Sequence, residues 1–223
     1  LHRHRLTGIL ADDMGLGKTV QTLALLLFAM DQDGEKRPSI VVAPTSVIGV
    51  WLDEACRFTP ELKVGRWYGT PEERRQINVE DFDVLVTSYG ILRRDAEILS
   101  KISFQYIILD EAQSTKNVKS QNAKSLRLLK SERRLALTGT PIENKPEDLW
   151  SVFDFLAPGF LGNLRRFREL YARPIDRGEK TARRLLRSRI APLVLRRLKD
   201  DVAKELPPKI EVTMRCDMFP EQR

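Results

Sequence analysis

The chain alternates short, continuous apolar runs with longer stretches of helical periodicity, and this pattern constrains its fold most. The runs lack polar–apolar alternation, which is typical of strands buried on both faces of a parallel sheet. Strands are predicted over Thr7–Ala11, Ser39–Ala43, Asp83–Ser88, Phe104–Leu109 and Arg134–Thr138, with an edge strand over Val64–Tyr68. Helices are predicted over Lys18–Met30, Ser46–Arg57, Ser120–Leu129 and Pro146–Leu156. Such alternation indicates an α/β fold with a central, mostly parallel sheet flanked by helices.

Composition excludes several classes of protein. The 223 residues are 42% hydrophobic, enough to form a core, and the longest apolar run, Leu23–Met30, is far shorter than the ~20 residues that span a bilayer. Two distant cysteines, Cys56 and Cys216, and two histidines near the start argue against a disulfide scaffold, a zinc site or a His-based catalytic triad. We expect no membrane partner and an intracellular location: cytoplasm or nucleoid in a prokaryote, nucleus in a eukaryote.

Positive charge is concentrated in one segment. Residues 163–199 contain thirteen Lys and Arg against three Asp and Glu, whereas the whole chain has a formal net charge of +7. The segment has a helical pattern, and no strand-like run is predicted before Ile210–Arg215. Such an excess favours a polyanionic partner, although a solvated helical face is the usual meaning of a charge run.

A glycine-containing loop, DDMGLGKT from Asp12 to Thr19, lies between a predicted strand and a predicted helix. Its glycines let backbone amides turn toward an anion, and the helix N-terminus adds partial positive charge. Lys18 would contact the β- and γ-phosphates of a bound nucleotide, and the Thr19 hydroxyl would bind Mg²⁺. The loop departs from the phosphate-loop consensus because Asp12 replaces its first glycine, so a chance glycine turn is the alternative. The predicted nucleotide-binding residues are Asp13, Met14, Gly15, Leu16, Gly17, Lys18, Thr19 and Val20.

A second chemical signal is the acidic pair Asp110 and Glu111, which follows the apolar run Ile107–Leu109. Ligands bind at the carboxyl ends of strands in open α/β sheets. We therefore predict that Asp110 holds Mg²⁺ and that Glu111 orients and deprotonates the attacking water. The alternative is a surface pair that caps the next helix. With Lys18, these two carboxylates are the predicted catalytic residues.

Several motifs together resemble the first motor lobe of the Swi/Snf-type ATPases, within the superfamily-two helicases. The matching segments are Ile9–Gln21, Ala43–Val47, Asp110–Gln113, Thr138–Asn144, Asp148–Ser151, Phe155–Gly159, Leu195–Val202 and Leu206–Lys209. The resemblance covers essentially the whole chain, and Asp12 is expected in this family. It implies a RecA-like P-loop NTPase lobe that binds Mg-ATP and acts on double-stranded DNA. Gln113, where many relatives carry His, resembles a bacterial or archaeal DEAQ variant.

The same resemblance implies roles for other residues. Gln113, Thr138, Gly139 and Thr140 would couple γ-phosphate state to lobe movement, against the alternative of a tight Gly-Thr-Pro turn. DNA-backbone contacts are implied for Thr45, Ser46, Thr87, Ser88, Tyr89, Arg165 and Arg166. The hydroxyl residues have helix capping as their alternative. The three tryptophans, Trp51, Trp67 and Trp150, are expected to fill the core or an interface rather than stack on bases.

The resemblance also implies a division of the chain. Residues 1–160 would form the ATP-binding lobe, residues 161–205 a basic helical protrusion, and residues 206–223 the start of a connection. The connection would lead to a second RecA-like lobe of the same polypeptide. That lobe would carry the arginine fingers, and the adenine-recognition motif would precede Leu1. We therefore expect the 223-residue chain alone to be nearly inactive, and a DNA-bound protein to be a possible target.

Two other functions compete with a duplex-DNA translocase. An RNA or single-strand helicase of the same superfamily usually carries Ser-Ala-Thr where Thr138-Gly139-Thr140 stands, which argues against it. A catalytically inactive nucleic-acid-binding module is disfavoured because Lys18, Thr19, Asp110 and Glu111 are all intact.

Overall fold

The computed structural model describes residues 7–32, 37–115, 121–139 and 146–202. Their strands are β1 (Gly8–Leu10), β2 (Ser39–Ala43), β3 (Val64–Arg66), β4 (Val84–Ser88), β5 (Ser103–Leu109), β6 (Lys130–Leu137) and β7 (Val194–Leu195). These form one seven-stranded sheet in the order β3-β4-β2-β5-β6-β1-β7, and every neighbouring pair is parallel. The predicted α/β fold with a parallel sheet is confirmed.

Helices connect these strands. They are α1 (Lys18–Gln32), α2 (Ile48–Phe58), α3 (Pro71–Arg75), α4 (Tyr89–Leu99), α5 (Gln121–Leu128), α6 (Pro146–Leu156), α7 (Leu164–Phe167), α8 (Arg173–Asp176), α9 (Lys180–Ile190) and α10 (Lys199–Val202). A π-helical turn over Arg168–Ala172 joins α7 to α8. The sequence did not predict α3 and α4, and side-chain caps begin both. Thr70 and Glu73 form a capping box on α3, and the Ser88 hydroxyl accepts from the Ile91 amide of α4.

The sheet separates two hydrophobic layers. Along β2, Ile40 and Val42 belong to one layer and Val41 belongs to the other, as expected when successive side chains of a strand point to opposite faces. Trp51 of α2 packs in the layer of Val41. Phe153 of α6 packs in the layer of Ile40 and Val42. Burial on both faces explains why the strands are continuously apolar.

The basic region contributes to this core. Phe167, Tyr171 and Leu186 are buried and share a layer with Phe153. The proposed domain boundary at residue 160 stays a prediction. The connection predicted over residues 206–223 lies outside the described residues, as does the strand-like run Ile210–Arg215. Across the parts of the chain that the structure describes, no helix has the length and apolar character needed to cross a bilayer.

One expectation for the basic region was wrong. Strand β7 lies within the segment where only helical pattern was predicted, and it pairs in parallel with β1 through Ile9–Val194 and Leu10–Leu195. The strand has two residues, too few to produce a recognisable period. It exists because the edge of β1 supplies backbone partners, including the Ala11 amide, which donates to the Leu195 carbonyl at 2.7 Å.

Candidate nucleotide site and nucleic-acid interface

The glycine-containing loop connects β1 to α1, the context that its sequence predicted. Gly15 has φ +84° and Gly17 has φ +71°, a left-handed conformation that residues with a Cβ rarely adopt. The ammonium of Lys18, the first residue of α1, donates to the carbonyls of Asp12 at 2.7 Å and Asp13 at 3.1 Å. The amine is therefore held against the loop that would surround a phosphate.

The acidic pair follows directly after β5. Oδ2 of Asp110 accepts from the indole N–H of Trp51 at 2.8 Å, and Oδ1 accepts from the Glu111 amide at 2.9 Å. Burial raises the pKa of Asp110 above its ordinary value, and the charge of Glu111 acts in the same direction, whereas the Trp51 hydrogen bond and the Lys18 charge oppose the rise. Asp110 is thus a desolvated carboxylate whose charge a cation would stabilise.

Strand order explains how the loop and the acidic pair meet. Strands β1 and β5 are separated only by β6, so their carboxyl ends are about 10 Å apart at the ordinary strand spacing. Gly139 follows β6, which lies between β1 and β5. Lys18 Nζ is 3.5 Å from the position that a Cβ on Gly139 would occupy. Lys18 and Asp110 therefore occupy the same edge of the sheet.

Hydrogen bonds link the acidic pair to β6. The amide of Gln113 donates to the Glu111 carboxylate, and the Thr138 hydroxyl donates to Oε1 of Gln113 at 3.0 Å. Glu111 itself has φ +50°, an uncommon conformation for a residue other than glycine. Two of the predicted coupling residues, Gln113 and Thr138, thus form one network with Glu111. Thr140 lies outside the described residues.

The donor set suits a magnesium ion that is bound partly by substrate and water. Thr19 and Asp110 would supply oxygen ligands, which Mg²⁺ prefers, and this ion commonly takes only one or two protein ligands beside phosphates. The residues fit Mg²⁺ together with a triphosphate.

A groove of about 530 Å³ lies beside this edge, at the ends of β2 and β4. Thr45 and Ser46 are exposed, and neither α2 nor the short turn Thr45–Val47 has a side-chain cap. The capping alternative therefore does not account for these two hydroxyl residues. The groove is lined by Thr45, Tyr68, Gly69, Thr70, Pro71, Glu73, Arg74, Ser88, Gly90, Ile91 and Arg94.

The other hydroxyl residues predicted to contact DNA are less accessible. Thr87 is fully buried and its hydroxyl donates to the Trp67 carbonyl at 2.9 Å, so its side chain does not reach the surface. Ser88 lines the groove but caps α4. Tyr89 is buried, and its hydroxyl donates to the Asp110 carbonyl at 2.8 Å. Burial, followed by the charges of Asp110 and Glu111, raises the pKa of Tyr89.

The predicted basic contacts lie on α7. Arg165 is 90% exposed and forms an ion pair with Glu169 at 3.1 Å, while Arg166 is exposed and its amide donates to Oδ1 of Asn163 at 2.9 Å. Arg94 of α4 is exposed and lines the groove. Arg94 was not predicted as a contact residue, because one arginine in an amphipathic helix gives no local signal.

A buried ion pair between Arg74 and Asp95 holds Arg74 in the lining of the groove. The guanidinium of Arg74 donates to both carboxylate oxygens of Asp95, at 2.5 and 2.9 Å, and also to the Gly69 carbonyl. Trp67 donates to the same carboxylate at 2.8 Å. Trp51, Trp67 and Trp150 are all buried, which confirms the expectation that they fill the core, but their indole N–H partners were not predicted.

Comparison with known proteins places this architecture in a family. The family model described as "SNF2-related domain" matches residues 1–223. The chain is 40% identical to TATA-binding protein-associated factor mot1 of Schizosaccharomyces pombe, over 100% of this chain and 13% of that protein. It is 39% identical to the ISWI chromatin-remodeling complex ATPase CHR17 of Arabidopsis thaliana, over 100% of this chain and 21% of that protein.

A bacterial relative and a solved structure agree with this assignment. The putative ATP-dependent helicase/translocase YwqA of Bacillus subtilis is 43% identical over 91% of this chain and 23% of its own length. The Sulfolobus solfataricus SWI2/SNF2 ATPase core in complex with dsDNA has a TM-score of 0.85 and 42% identity, covering 99% of this chain and 47% of that one. The chain thus spans under a quarter of these curated relatives. It belongs to the SNF2-related domain family, and its fold is that of the RecA-like SWI2/SNF2 ATPase core.

Proposed function

We propose that this chain is the first RecA-like motor lobe of an ATP-dependent translocase that moves along double-stranded DNA. The observation that carries the proposal is the meeting of Lys18 and Asp110 at one edge of the sheet, because nucleotide hydrolysis needs a phosphate-binding cation and a metal-binding carboxylate around the same triphosphate. The similarity to an ATPase core whose structure includes dsDNA supports the choice of duplex DNA as the partner.

Each residue at this edge has a distinct chemical task. The loop amides from Asp13 to Thr19 bind phosphate oxygens, and Lys18 exchanges its carbonyl partners for the β- and γ-phosphates. Thr19 and Asp110 hold Mg²⁺, which neutralises the phosphate charge when it is bound. Glu111 orients the attacking water and accepts its proton.

The hydrogen-bonded residues beside Glu111 serve a different task. Gln113 holds the Glu111 carboxylate and receives the Thr138 hydroxyl, so a shift of either strand end changes the orientation of the base. We infer that this network couples the state of the nucleotide to movement of the lobe. Gly139 allows the end of β6 to approach the glycine-containing loop closely, because a Cβ at this position would lie against Met14 and Lys18.

DNA-backbone contacts would come from the groove and from the basic segment. Thr45, Ser46 and Arg94 present exposed hydroxyl and guanidinium groups at the carboxyl ends of β2 and β4. Arg165 and Arg166 add exposed charge on α7. Contacts of this kind position a protein on the duplex without reading its sequence. A DNA motor of this kind would work inside the cell, where genomic DNA lies.

The motor requires a second lobe of the same polypeptide. An arginine finger increases phosphoryl-transfer rates by about 10³–10⁵, and the family resemblance assigns the arginine fingers to that second lobe. We therefore expect the 223-residue chain alone to bind nucleotide weakly and to hydrolyse it very slowly. DNA-stimulated turnover by the isolated chain at the rate of the intact protein would contradict this expectation.

The deciding experiment measures ATP hydrolysis by the intact protein with duplex DNA, single-stranded DNA or RNA of equal length. Strong stimulation by the duplex alone supports a translocase, whereas stimulation by RNA or single strands indicates a helicase of the other class. The Lys18→Ala variant, which removes the phosphate contact, controls for contaminating ATPase. Absence of turnover with every nucleic acid would favour a binding module that has lost catalysis.

A further inference from the structure

The aspartate that replaces the first glycine of the phosphate loop is an anchor point. Asp12 is 0% exposed and carries a charge. Its carboxylate is contacted by Arg197, a residue 185 positions away in sequence. The Arg197 amide donates to Oδ1 at 2.9 Å, Nε lies 3.1 and 3.2 Å from the two oxygens, and Nη2 lies 2.5 Å from Oδ2. One arginine thus satisfies a buried charge through its backbone and its side chain.

Further contacts extend this anchor along the loop. Arg197 also donates to Oε1 of Gln21, and Nε2 of Gln21 donates to the Leu16 carbonyl at 2.8 Å. The Asp13 amide donates to the Arg197 carbonyl at 3.1 Å. Asp12 and Asp13 at the start of the loop are therefore bound directly to Arg197, just after β7, and Leu16 in its middle is linked to Arg197 through Gln21.

A neighbouring lysine adds to these contacts. The Lys199 amide donates to Oδ2 of Asp13 at 3.1 Å, and Lys199 Nζ lies 3.3 Å from the position that a Gly15 Cβ would occupy. Lys199, the first residue of α10, thus contacts the start of the loop at Asp13, and Leu195 of β7 accepts from the amide of Ala11, which directly precedes the loop. The loop is bounded by α1 on one side and by residues 195–199 on the other.

The opposite charges of Asp12 and Arg197 explain why loss of either residue alone would be costly. Burial opposes ionisation of Asp12, but the hydrogen bonds from Arg197 outweigh it and lower the pKa of this carboxyl. Removing one partner of such a pair leaves an uncompensated buried charge, whereas removing both is far less disruptive. A glycine at this position, as in the phosphate-loop consensus, would need no such partner. Arg197 is needed here because the loop carries the buried carboxylate of Asp12 instead.

We propose that Arg197 is a positioning residue of the phosphate loop, which through Asp12 and Gln21 holds the loop in its nucleotide-binding shape. The proposal rests on the proposed function of the loop in binding ATP. The Arg197 side chain is 40% exposed, and Arg197 contacts Asp12, Asp13 and Gln21, so we assign its action to the loop and not to the reacting atoms. Its loss weakens nucleotide binding more than it slows hydrolysis of bound nucleotide.

The first test uses the intact protein and a fluorescent ATP analogue with Mg²⁺. Arg197→Gln should weaken analogue binding by at least roughly tenfold, which is what one charge-assisted hydrogen bond contributes, and should raise KM for ATP with kcat changed by less than about threefold. Arg197→Lys should recover only part of the affinity, because an ammonium cannot form the two-pronged contact. Arg57→Gln, an equal loss of charge at an exposed position near the end of α2 and outside the basic segment, should leave KM unchanged.

A double-substitution cycle with Asp12 separates the contact from general damage. If Arg197 acts through Asp12, Asp12→Asn combined with Arg197→Gln should bind the analogue better than Arg197→Gln alone. Additive losses would overturn the proposed route through Asp12. A kcat that falls with unchanged KM in Arg197→Gln would overturn the positioning role itself.

A second readout requires no nucleotide and so distinguishes this proposal from the proposed function. Amide hydrogen exchange at residues 12–18 should be faster in Arg197→Gln than in the unmodified protein and in Arg57→Gln, with protection of β2 and β5 unchanged. Unchanged exchange at the loop overturns the inference even if ATP binding is confirmed. Conversely, faster exchange in a protein that binds no nucleotide keeps Arg197 as a loop anchor and rejects only the motor function.

Discussion

The indole N–H of Trp51 donates a hydrogen bond of 2.8 Å to Oδ2 of Asp110. Trp51 lies in α2, which begins just after the exposed residues Thr45 and Ser46. Tyr89, which follows the end of β4, donates its hydroxyl to the carbonyl of the same aspartate at 2.8 Å. Two helices that begin beside the groove therefore each make a direct contact with the proposed metal-binding residue.

Substitution of Trp51 by Phe should slow ATP hydrolysis by the intact protein. The variant keeps an aromatic ring in a site that is 1% exposed but loses the donor to Asp110. A hydrogen bond to a charged group contributes about 1.5–3 kcal/mol, so kcat should fall by roughly tenfold to a hundredfold. Steady-state ATPase assays with duplex DNA measure this change.

Trp150→Phe provides the matched control for this substitution. It also removes a buried indole donor, but the acceptor of that donor is the Gly162 carbonyl at 3.0 Å, which is not one of the proposed site residues. Equal losses of activity in the two variants would indicate a general packing effect and would contradict a specific role for the Trp51–Asp110 contact.

The sequence predicted the strands and the catalytic edge because both depend on local patterns. Continuous apolar runs located the inner strands, and the carboxyl ends of parallel strands necessarily meet at one edge. The contacts of Trp51 and Arg197 were not predictable in the same way. Helical spacing placed Trp51 on an apolar face but could not name an acceptor 59 residues away, and Arg197 is one of thirteen basic residues in its segment.

Burial also corrected the interpretation of residues that follow strands. Thr87 lies within β4, opposite Val42 of β2, and is fully buried, whereas Thr45 lies two residues beyond the end of β2 and is exposed. The buried Thr87 hydroxyl donates to the Trp67 carbonyl. A strand-end hydroxyl therefore predicts an edge position but not which way the side chain faces.

Glu111→Gln should separate nucleotide binding from hydrolysis. Glutamine keeps the shape of the side chain and can still contact Gln113, but it cannot accept the proton of the attacking water. We expect binding of a fluorescent ATP analogue within about threefold of normal and a fall in kcat of roughly 10²–10⁴, the contribution of a general base. Normal turnover in this variant would refute the assignment of Glu111 as the base. Lys18→Ala is the contrasting variant, since it should lose binding as well.

Thr138→Val should impair coupling more than nucleotide binding. The substitution keeps the volume of the side chain and removes the hydroxyl that donates to Gln113 at 3.0 Å. Because Gln113 orients Glu111, DNA-stimulated turnover should fall by roughly threefold to tenfold, the value of one neutral hydrogen bond, with analogue affinity retained. Thr59→Val, which removes a buried hydroxyl at the end of α2, is the control. A normal DNA-stimulated rate in Thr138→Val would exclude this hydroxyl from the coupling network.

Asp95→Asn should destabilise the protein in a pH-dependent way. Burial opposes the charge of Asp95, but the hydrogen bonds from Arg74 and Trp67 lower its pKa below the ordinary 3.8. The stabilisation is therefore present above pH 3.8 and is lost as pH falls through the folded-state value. At pH near 7, removing one partner of this buried pair should lower the free energy of unfolding by about 3–5 kcal/mol.

Urea denaturation at several pH values tests this prediction. The difference between Asp95→Asn and the unmodified protein should be largest near neutral pH and should shrink as the aspartate of the unmodified protein becomes protonated. Asp81→Asn, at an exposed position, should cost little at any pH. A difference that stays constant into the acid range would show that lost packing, not the ion pair with Arg74, causes the destabilisation.

Arg165 and Arg166 should contribute to the salt dependence of DNA binding. Each phosphate contact on duplex DNA contributes about −0.9 to the slope of log affinity against log salt, so the double substitution to Gln should make the slope less steep by about 1.8. Fluorescence anisotropy with a labelled duplex measures the slope. Lys101 and Lys130 are exposed at the amino ends of β5 and β6, the opposite edge of the sheet, so their double substitution to Gln is the matched control. Equal changes in slope from both pairs would mean that total charge, not the position of α7, determines the affinity.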